Sequence, residues 1–447
     1  MAISDMSSLG KIPELRKRIL FTILMLAVYR FGVHVSTPGI DIVALKQLLD
    51  SAKGSFVGLI NLFSGGALEN FSILTLGVAP YISVSIIVQI LAPTIPSLAA
   101  LKKEGEAGQR ILTRYIRQFT IILALFQSYM IATGLESQGY VIAGGLTFRL
   151  CTMFTLTAGT AFMMWLGEQI TEKGLGNGVS ILIFAGIVAR MPEVLVSTLV
   201  LARQGEIAPF SVLLMFLFAV ASVAAIVYVE RSHRRIPIQY PRRMVGKAMT
   251  QAQLQYMPLK VNMSGVIPPI FASAIIAVPT TIASLSNFDW LKRATAVLTD
   301  NVAVYDAVFV TLVFLFGFFY TSLIFNPEEV AENLKKNGGS VPTVRPGKPT
   351  ADFFYYVLNR LTVWGGIYIA LVCVLPKALY LWLGAGQFSY VFGGTAVLIA
   401  VGVTLDTASQ IESYVVARNY ESFMQSSSKN DAGIAAIGYN RGRVLRR

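Results

Sequence analysis

Ten stretches of about 20 predominantly apolar residues recur along the 447-residue chain, at roughly 19–38, 71–92, 117–135, 150–168, 179–200, 210–229, 264–285, 304–325, 361–380 and 391–416. Backbone amides in hydrocarbon find no water, so runs of this length predict membrane-crossing helices whose amides bond internally. The first run is expected to be retained, because no small-residue cleavage site follows it. The pattern breaks in a few places. Ser55-Phe56-Val57-Gly58-Leu59-Ile60-Asn61-Leu62-Phe63 is apolar but too short to cross a bilayer, and Ser64-Gly65-Gly66 ends it. Two readings stand for this segment: a re-entrant interfacial piece, or a movable stopper for which Gly65 and Gly66 supply backbone freedom. Gly77 and Pro80 in the second run, Gly178 at the head of the fifth and Pro268-Pro269 in the seventh predict bent helices around a central space.

Composition narrows the class. Hydrophobic residues make up 54% and charged residues only 14%, against about 25% charged in soluble domains, and the mean hydropathy is +0.62. A soluble enzyme, a disordered chain and a coiled coil are thereby excluded. Cys151 and Cys373 both lie in apolar runs and read as small packing residues.

The net charge of +13 acquires meaning from its placement. With the N-terminus inside, the cytoplasmic segments hold 28 of the 37 Lys and Arg, the opposite side 7, and Arg30 and Arg190 fall within spans. That bias places both termini in the cytoplasm. Glu168, Asp306 and Glu412 sit near span ends, which leaves Arg30 and Asp406 as the deeper charges and argues against ion-coupled transport. Segments 230–260 and 326–360 are longer than helix connections need and together predict a basic docking face. No nucleophile–base pair or metal-ligand spacing is present, so neither catalysis nor a cofactor is expected. A partner or a gradient must drive any work.

Several ordered motifs then coincide with one family. They are Phe63-Ser64-Gly65-Gly66-Ala67-Leu68, Pro80-Tyr81-Ile82-Ser83, Lys102-Lys103-Glu104-Gly105-Glu106 and Trp165-Leu166-Gly167-Glu168-Gln169-Ile170-Thr171. Gly176-Asn177-Gly178, Leu259-Lys260-Val261-Asn262-Met263, Phe325-Asn326-Pro327, Arg345-Pro346-Gly347 and Phe392-Gly393-Gly394-Thr395 follow in the same order. Over essentially its whole length the chain resembles the SecY family, the main channel subunits of the bacterial protein-translocation machinery.

The resemblance implies an all-α polytopic fold of ten transmembrane helices in two inverted pseudo-symmetric halves around a central pore with a short plug helix. The N-terminal half is expected at 1–200 with the plug at about 55–66, the C-terminal half at 201–416, and a basic cytoplasmic tail at 417–447. The plug residues would be Phe56, Leu59, Ile60, Leu62, Phe63, Gly65 and Gly66. The pore ring would be Val78, Ile82, Val179, Ile183, Ile270 and Ile399, with Val at 78 and 179 a departure from the usual Ile. Ser83, Gln127 and Asn262 match polar contacts of a lateral gate between spans 2/3 and 7/8.

Docking of the SecA ATPase and the ribosome would use Arg242, Arg243, Lys247 and Arg345. Lys247-Ala248 stands where an Arg pair is common, which weakens the expected ribosome contact. The resemblance further implies a heterotrimer with SecE and SecG, and association with signal peptides, nascent chains, membrane lipids, SecD/SecF and YidC. The implied site is the bacterial cytoplasmic (inner) membrane. The rival reading is an ion-coupled secondary solute transporter, supported by ten spans and broken helices.

Overall fold

The computed structural model describes residues 13–41, 45, 64–93, 95–137, 139–142, 144–205, 208–240, 244–245, 248–249, 254–285, 289–382 and 392–416. The plug residues Phe56, Leu59, Ile60, Leu62 and Phe63, the basic residues Arg242, Arg243 and Lys247, and the 417–447 tail lie outside them.

Helix α1 (Pro13–Val33) opens on Pro13 with Glu14 in its first turn, which complements the helix dipole. It buries Leu15, Thr22, Tyr29, Gly32 and Val33 while Leu20, Ile23, Leu24 and Phe31 stay exposed. Both faces are apolar, as membrane helices require. Helix α2 (Ala79–Leu91) starts with Pro80 in its first turn and is followed by the short α3 (Pro96–Lys103), bent from it by 100°.

The hairpin α4 (Glu106–Ser137) and α5 (Leu146–Lys173) packs through small residues. Thr120, Ala124, Ser128 and Ala132 recur every fourth position and are buried, which lets the backbones approach. The Ser128 and Thr157 hydroxyls then lie 3.2 Å apart across the pair. Helix α6 (Gly178–Arg203) is capped by Asn177, whose side chain accepts from the Val179 and Ser180 amides. Helix α7 (Pro209–Glu230) completes the first group of long helices.

Strand β1 (His233–Gln239) pairs antiparallel with β4 (Leu254–Lys260), in register from His233 opposite Lys260 to Gln239 opposite Leu254. Between them the two-residue strands β2 (Met244–Val245) and β3 (Ala248–Met249) pair with each other. Next come α8 (Ile267–Leu285), α9 (Asp289–Asp300), α10 (Val302–Ile324), α11 (Pro327–Lys336), α12 (Lys348–Trp382) and α13 (Gly394–Val416).

Each predicted span overlaps a helix among the described residues, yet two differences matter. The expected purely helical chain carries a β-hairpin at one end of the bundle. Its Ile236 and Ile238 are buried, with half-buried Pro237 between them and exposed Arg235 and Gln239 on either side, the two-residue period of a half-buried strand. Together with Leu259 these strands cover Val341, Phe354, Val357 and Leu361.

The second difference concerns the expected span 71–92, which is helical only from Ala79. Residues 64–78 form a chain of turns instead. Gly77 adopts φ +54°, which a helix cannot continue through, and Pro80 lacks an amide to bond backwards. The Ile73 amide is satisfied by the Val35 carbonyl and the Phe71 carbonyl by the Thr37 amide. Irregular backbone at membrane depth is tolerated only inside protein, and Ser64, Ala67, Phe71, Ser72, Leu74 and Thr75 are buried.

Among the described residues seven helices are by themselves long and apolar enough to cross a membrane, eight if the bent α2–α3 pair is one span. Helix α1 carries Arg16, Lys17, Arg18 and Arg30, and only Ile267–Ile276 of α8 registers as an apolar helix. The largest buried cluster draws on α1, the turn segment, α5, α6, α7 and α13. A second joins α7, α8, α10, α12 and α13.

Candidate functional site

The six expected ring residues belong to one apolar cluster. Val78, at the end of the turn segment, Ile183 on α6 and Ile399 on α13 are buried in one apolar cluster. Ile82 on α2, Val179 on α6 and Ile270 on α8 pack against it, partly buried. Four helices and one turn thus contribute branched aliphatic side chains to that cluster, alongside residues of α1, α5 and α7. On the hairpin side lies a polar cavity of about 240 Å³, lined by Asn177, Ser180, Val403, Asp406, Thr407, Ser409 and Gln410. Val403 of this lining also belongs to the central cluster.

The turn segment is pinned at its start. The Tyr29 hydroxyl donates to the Ser64 carbonyl at 3.1 Å, and Arg30 Nη1 donates to the Gly65 carbonyl at 2.7 Å. Gly65 and Gly66 have φ +65° and +89°, the left-handed region that favours glycine. Space enforces the same choice: a Cβ on Gly65 would come within 2.6 Å of Tyr29 Oη, and one on Gly66 within 2.7 Å of Arg190 Nη2. Arg190 in turn pairs with Glu69 at 2.7 Å. The two span-embedded arginines therefore converge on one short piece of backbone.

The three expected gate residues are not joined. The Ser83 hydroxyl donates to Ala79 of its own helix at 3.1 Å. Gln127 is half-buried on α4. Asn262 is buried at the entrance to α8. Its Nδ2 donates to Glu230 Oε1 at 2.8 Å and to the Gly265 carbonyl at 3.1 Å, and its Oδ1 accepts from the Ser264 hydroxyl and the Gly265 amide. What fills the seam between α2 and the α8–α10 pair is apolar: Ile86, Phe271 and Phe316, backed by Ile82, Ile90 and Tyr320. Phe271 meets Phe316 edge-on with ring centroids 5.7 Å apart, and Tyr320 at 6.3 Å.

At the hairpin end the two long connections are stitched together. The Gln239 amide donates to the Ser340 carbonyl at 2.8 Å, and the Ser340 amide returns a bond to Gln239 at 2.9 Å. Arg234, Arg235 and Arg345 are exposed on the resulting face.

The sequence model of the SecY family matches residues 72–408. The chain belongs to the SecY family. It is 43% identical over 435 residues to the protein translocase subunit SecY of Escherichia coli strain K12, covering 96% of this chain and 98% of that one. The SecY of Vibrio cholerae is 43% identical over 436 residues, with the same coverage. A solved structure described as that of a protein conducting channel superposes with TM-score 0.62 at 16% identity, covering 92% of this chain and 96% of the other. A structure of Sec61 in a canine ribosome-channel complex gives 0.60 at 15%, with the same coverage. The SecY assignment and the apolar helices make the chain a multi-pass membrane protein.

Within this SecY fold, several functional-site contacts escaped the sequence reading. The Arg190–Glu69 pair gave no local signal, although a charge inside an apolar span needs a counter-charge and Glu69 lies three residues after the Ser-Gly-Gly break. Tyr29 carried no signal, because one tyrosine among apolar neighbours reads as packing. The aromatic seam of Phe271, Phe316 and Tyr320 was equally silent, for its members look like any apolar helix positions.

Proposed function

We propose that the chain is the central, non-enzymatic subunit of a channel that passes unfolded secretory proteins across the bacterial cytoplasmic membrane and releases apolar helices into it. One observation supports the reading: six branched aliphatic side chains from four helices and one turn share a single apolar cluster, one of whose members lines a polar cavity and whose turn segment is pinned at its start. A collar of this kind binds no particular side chain, closes around whatever threads it, and when empty disfavours continuous water. In this reading Val78, Ile82, Val179, Ile183, Ile270 and Ile399 are the pore ring, and Ser64–Gly66 is the stem of the plug. The α2–α8–α10 seam is the gate to lipid.

Both termini are cytoplasmic, as the Lys and Arg bias favours. The hairpin face with Arg234, Arg235 and Arg345 takes SecA or the ribosome, where Lys and Arg would neutralise RNA phosphates, and Arg242, Arg243 and Lys247 add positive charge to the same connection in sequence. SecE and SecG complete the core complex. SecD/SecF and YidC act on chains that have entered or left it. Halves 1–200 and 201–416 part along the seam when a signal helix intercalates, its differential binding shifting the closed–open equilibrium.

Reconstitution with SecE and SecG tests this. Preprotein movement that requires SecA and ATP, with mid-export crosslinks at Ile82, Ile183 and Ile270, is the expected result. Solute uptake driven by an ion gradient without any partner would instead support a transporter.

A further inference from the structure

Helix α6 touches both the collar and the plug stem, and it does so along one stripe. Val179, Ile183, Gly186 and Arg190 are spaced four, three and four residues apart, the period that keeps side chains on one helix face. Val179 and Ile183 enter the collar cluster. Gly186 abuts the stem: a Cβ on Gly65 would lie 2.9 Å from the Gly186 Cα, and one on Gly186 would lie 3.3 Å from the Gly65 Cα. Arg190 holds the turn segment just beyond the stem through Glu69, with side chains only 12% and 21% exposed. Because a helix moves as a rigid rod, an outward shift of Ile183 carries Gly186 and Arg190 with it.

We propose that Arg190 is a positioning residue that ties the plug stem to the collar helix through Glu69, so that widening the collar and freeing the stem are one movement. The inference rests on the reading of Ser64–Gly66 as the stem of a plug. A partner exchange makes the device reversible. Glu193, one turn along α6 and 66% exposed, already places its carboxylate 4.0 Å from Arg190 Nη1. When Glu69 departs, Arg190 keeps a counter-charge, and when the channel empties Glu69 competes for it again. A partly buried pair of this kind resists separation until an incoming apolar helix supplies the differential binding that opens the channel.

Resting ion conductance of the reconstituted complex in planar bilayers tests the tie without any preprotein. Arg190→Ala and Glu69→Ala should each raise it about tenfold. The swap Glu69→Arg with Arg190→Glu should bring it back to within about threefold of the parent, the coupling expected of contacting partners. Wild-type leak in both single variants, or a swap as leaky as the singles in complexes that assemble normally, overturns the proposal. A second arm joins Glu69→Cys to Arg190→Cys with a short bismaleimide, in a chain whose Cys151 and Cys373 are replaced by Ser and Ala. The linked channel should stay sealed and move no preprotein under SecA and ATP, while the unlinked channel exports. Export at the unlinked rate with the link in place sinks the coupling. Absence of export by the wild-type complex would sink the channel reading instead, and the leak measurements would still decide the tie.

Discussion

Branched aliphatic side chains at the proposed collar would perform two tasks with one chemistry: they would seal a vacant pore and make no demands on a passing chain. The six positions are not equivalent in their surroundings. Ile82 and Ile270 are partly buried at the edge of the central cluster, whereas Ile183 lies within it. Ile82→Asn and Ile270→Asn therefore place an amide on the constriction and should raise resting ion conductance with little loss of thermal stability. Ile183→Gly should raise conductance too, and also leave a cavity costing about 2–5 kcal/mol, read as a lower melting temperature in detergent. Unchanged leak from all three variants would remove the collar from the mechanism. Asn262 shows the opposite economy, in which one amide satisfies four groups. Asn262→Ala should cost about 1–3 kcal/mol by leaving the half-buried Glu230 carboxylate and the turn into α8 without their partner. Asn262→Asp, which keeps the acceptor and loses the donor, should retain the turn and repel Glu230, a difference that thermal melts of the two variants resolve.

Long elements were legible where hydropathy alone determines them. Most of the apolar runs are helical over much of their length, because nothing but a helix satisfies twenty amides in hydrocarbon, and seven or eight helices among the described residues are long and apolar enough to cross a membrane. Elements that depend on partners were not. The β1–β4 hairpin hides its two-residue period behind His233, Arg234, Arg235 and Pro237, and only its contact with Phe354 and Leu361 reveals which face is buried. Residues 64–78 are apolar enough for a helix, but Gly77 and Pro80 break it, and the loop carbonyls and amides of 35–37 supply the bonds a helix would have made. The collar could be located only through family resemblance, since each member alone is an ordinary apolar position. The docking face illustrates the gain from structure: two basic loops about a hundred residues apart become one surface through the Gln239–Ser340 bridge. The Arg345 guanidinium is exposed there and makes no side-chain bond among the described residues, while its backbone carbonyl holds Thr350. Arg345→Glu should thus lower SecA-driven transport several-fold with assembly intact, as measured by co-purification with SecE and SecG. Full transport by the charge-reversed complex would exclude Arg345 from docking.

At the scale of the whole molecule, the seam between α2 and the α8–α10 pair is packed by apolar side chains. The central cluster ties α1, α5 and α6 to α13, and the seam between α2 and the α8–α10 pair is filled by Ile86, Phe271 and Phe316. In a bilayer such a seam gains nothing from the hydrophobic effect, because lipid tails are as apolar as the side chains that face them; only close packing favours the closed arrangement. A seam of that kind suits a gate that must yield to an apolar helix, since the incoming segment replaces one set of dispersion contacts with another of similar worth. Phe316→Ala removes the ring that meets Phe271 edge-on, and the closed state loses contacts that the open state does not make. The closed–open balance should shift accordingly, so that a preprotein with a weakened, less apolar signal is exported about three- to tenfold better, while a strong signal, which already opens the gate, gains little. Ser83→Ala is the control: its hydroxyl bonds back to Ala79 within α2, so its removal should leave the ratio of weak-signal to strong-signal export unchanged. A Ser83 variant that relaxes the signal requirement as far as Phe316→Ala does would mean that polar contacts close the gate, and the seam argument would fail.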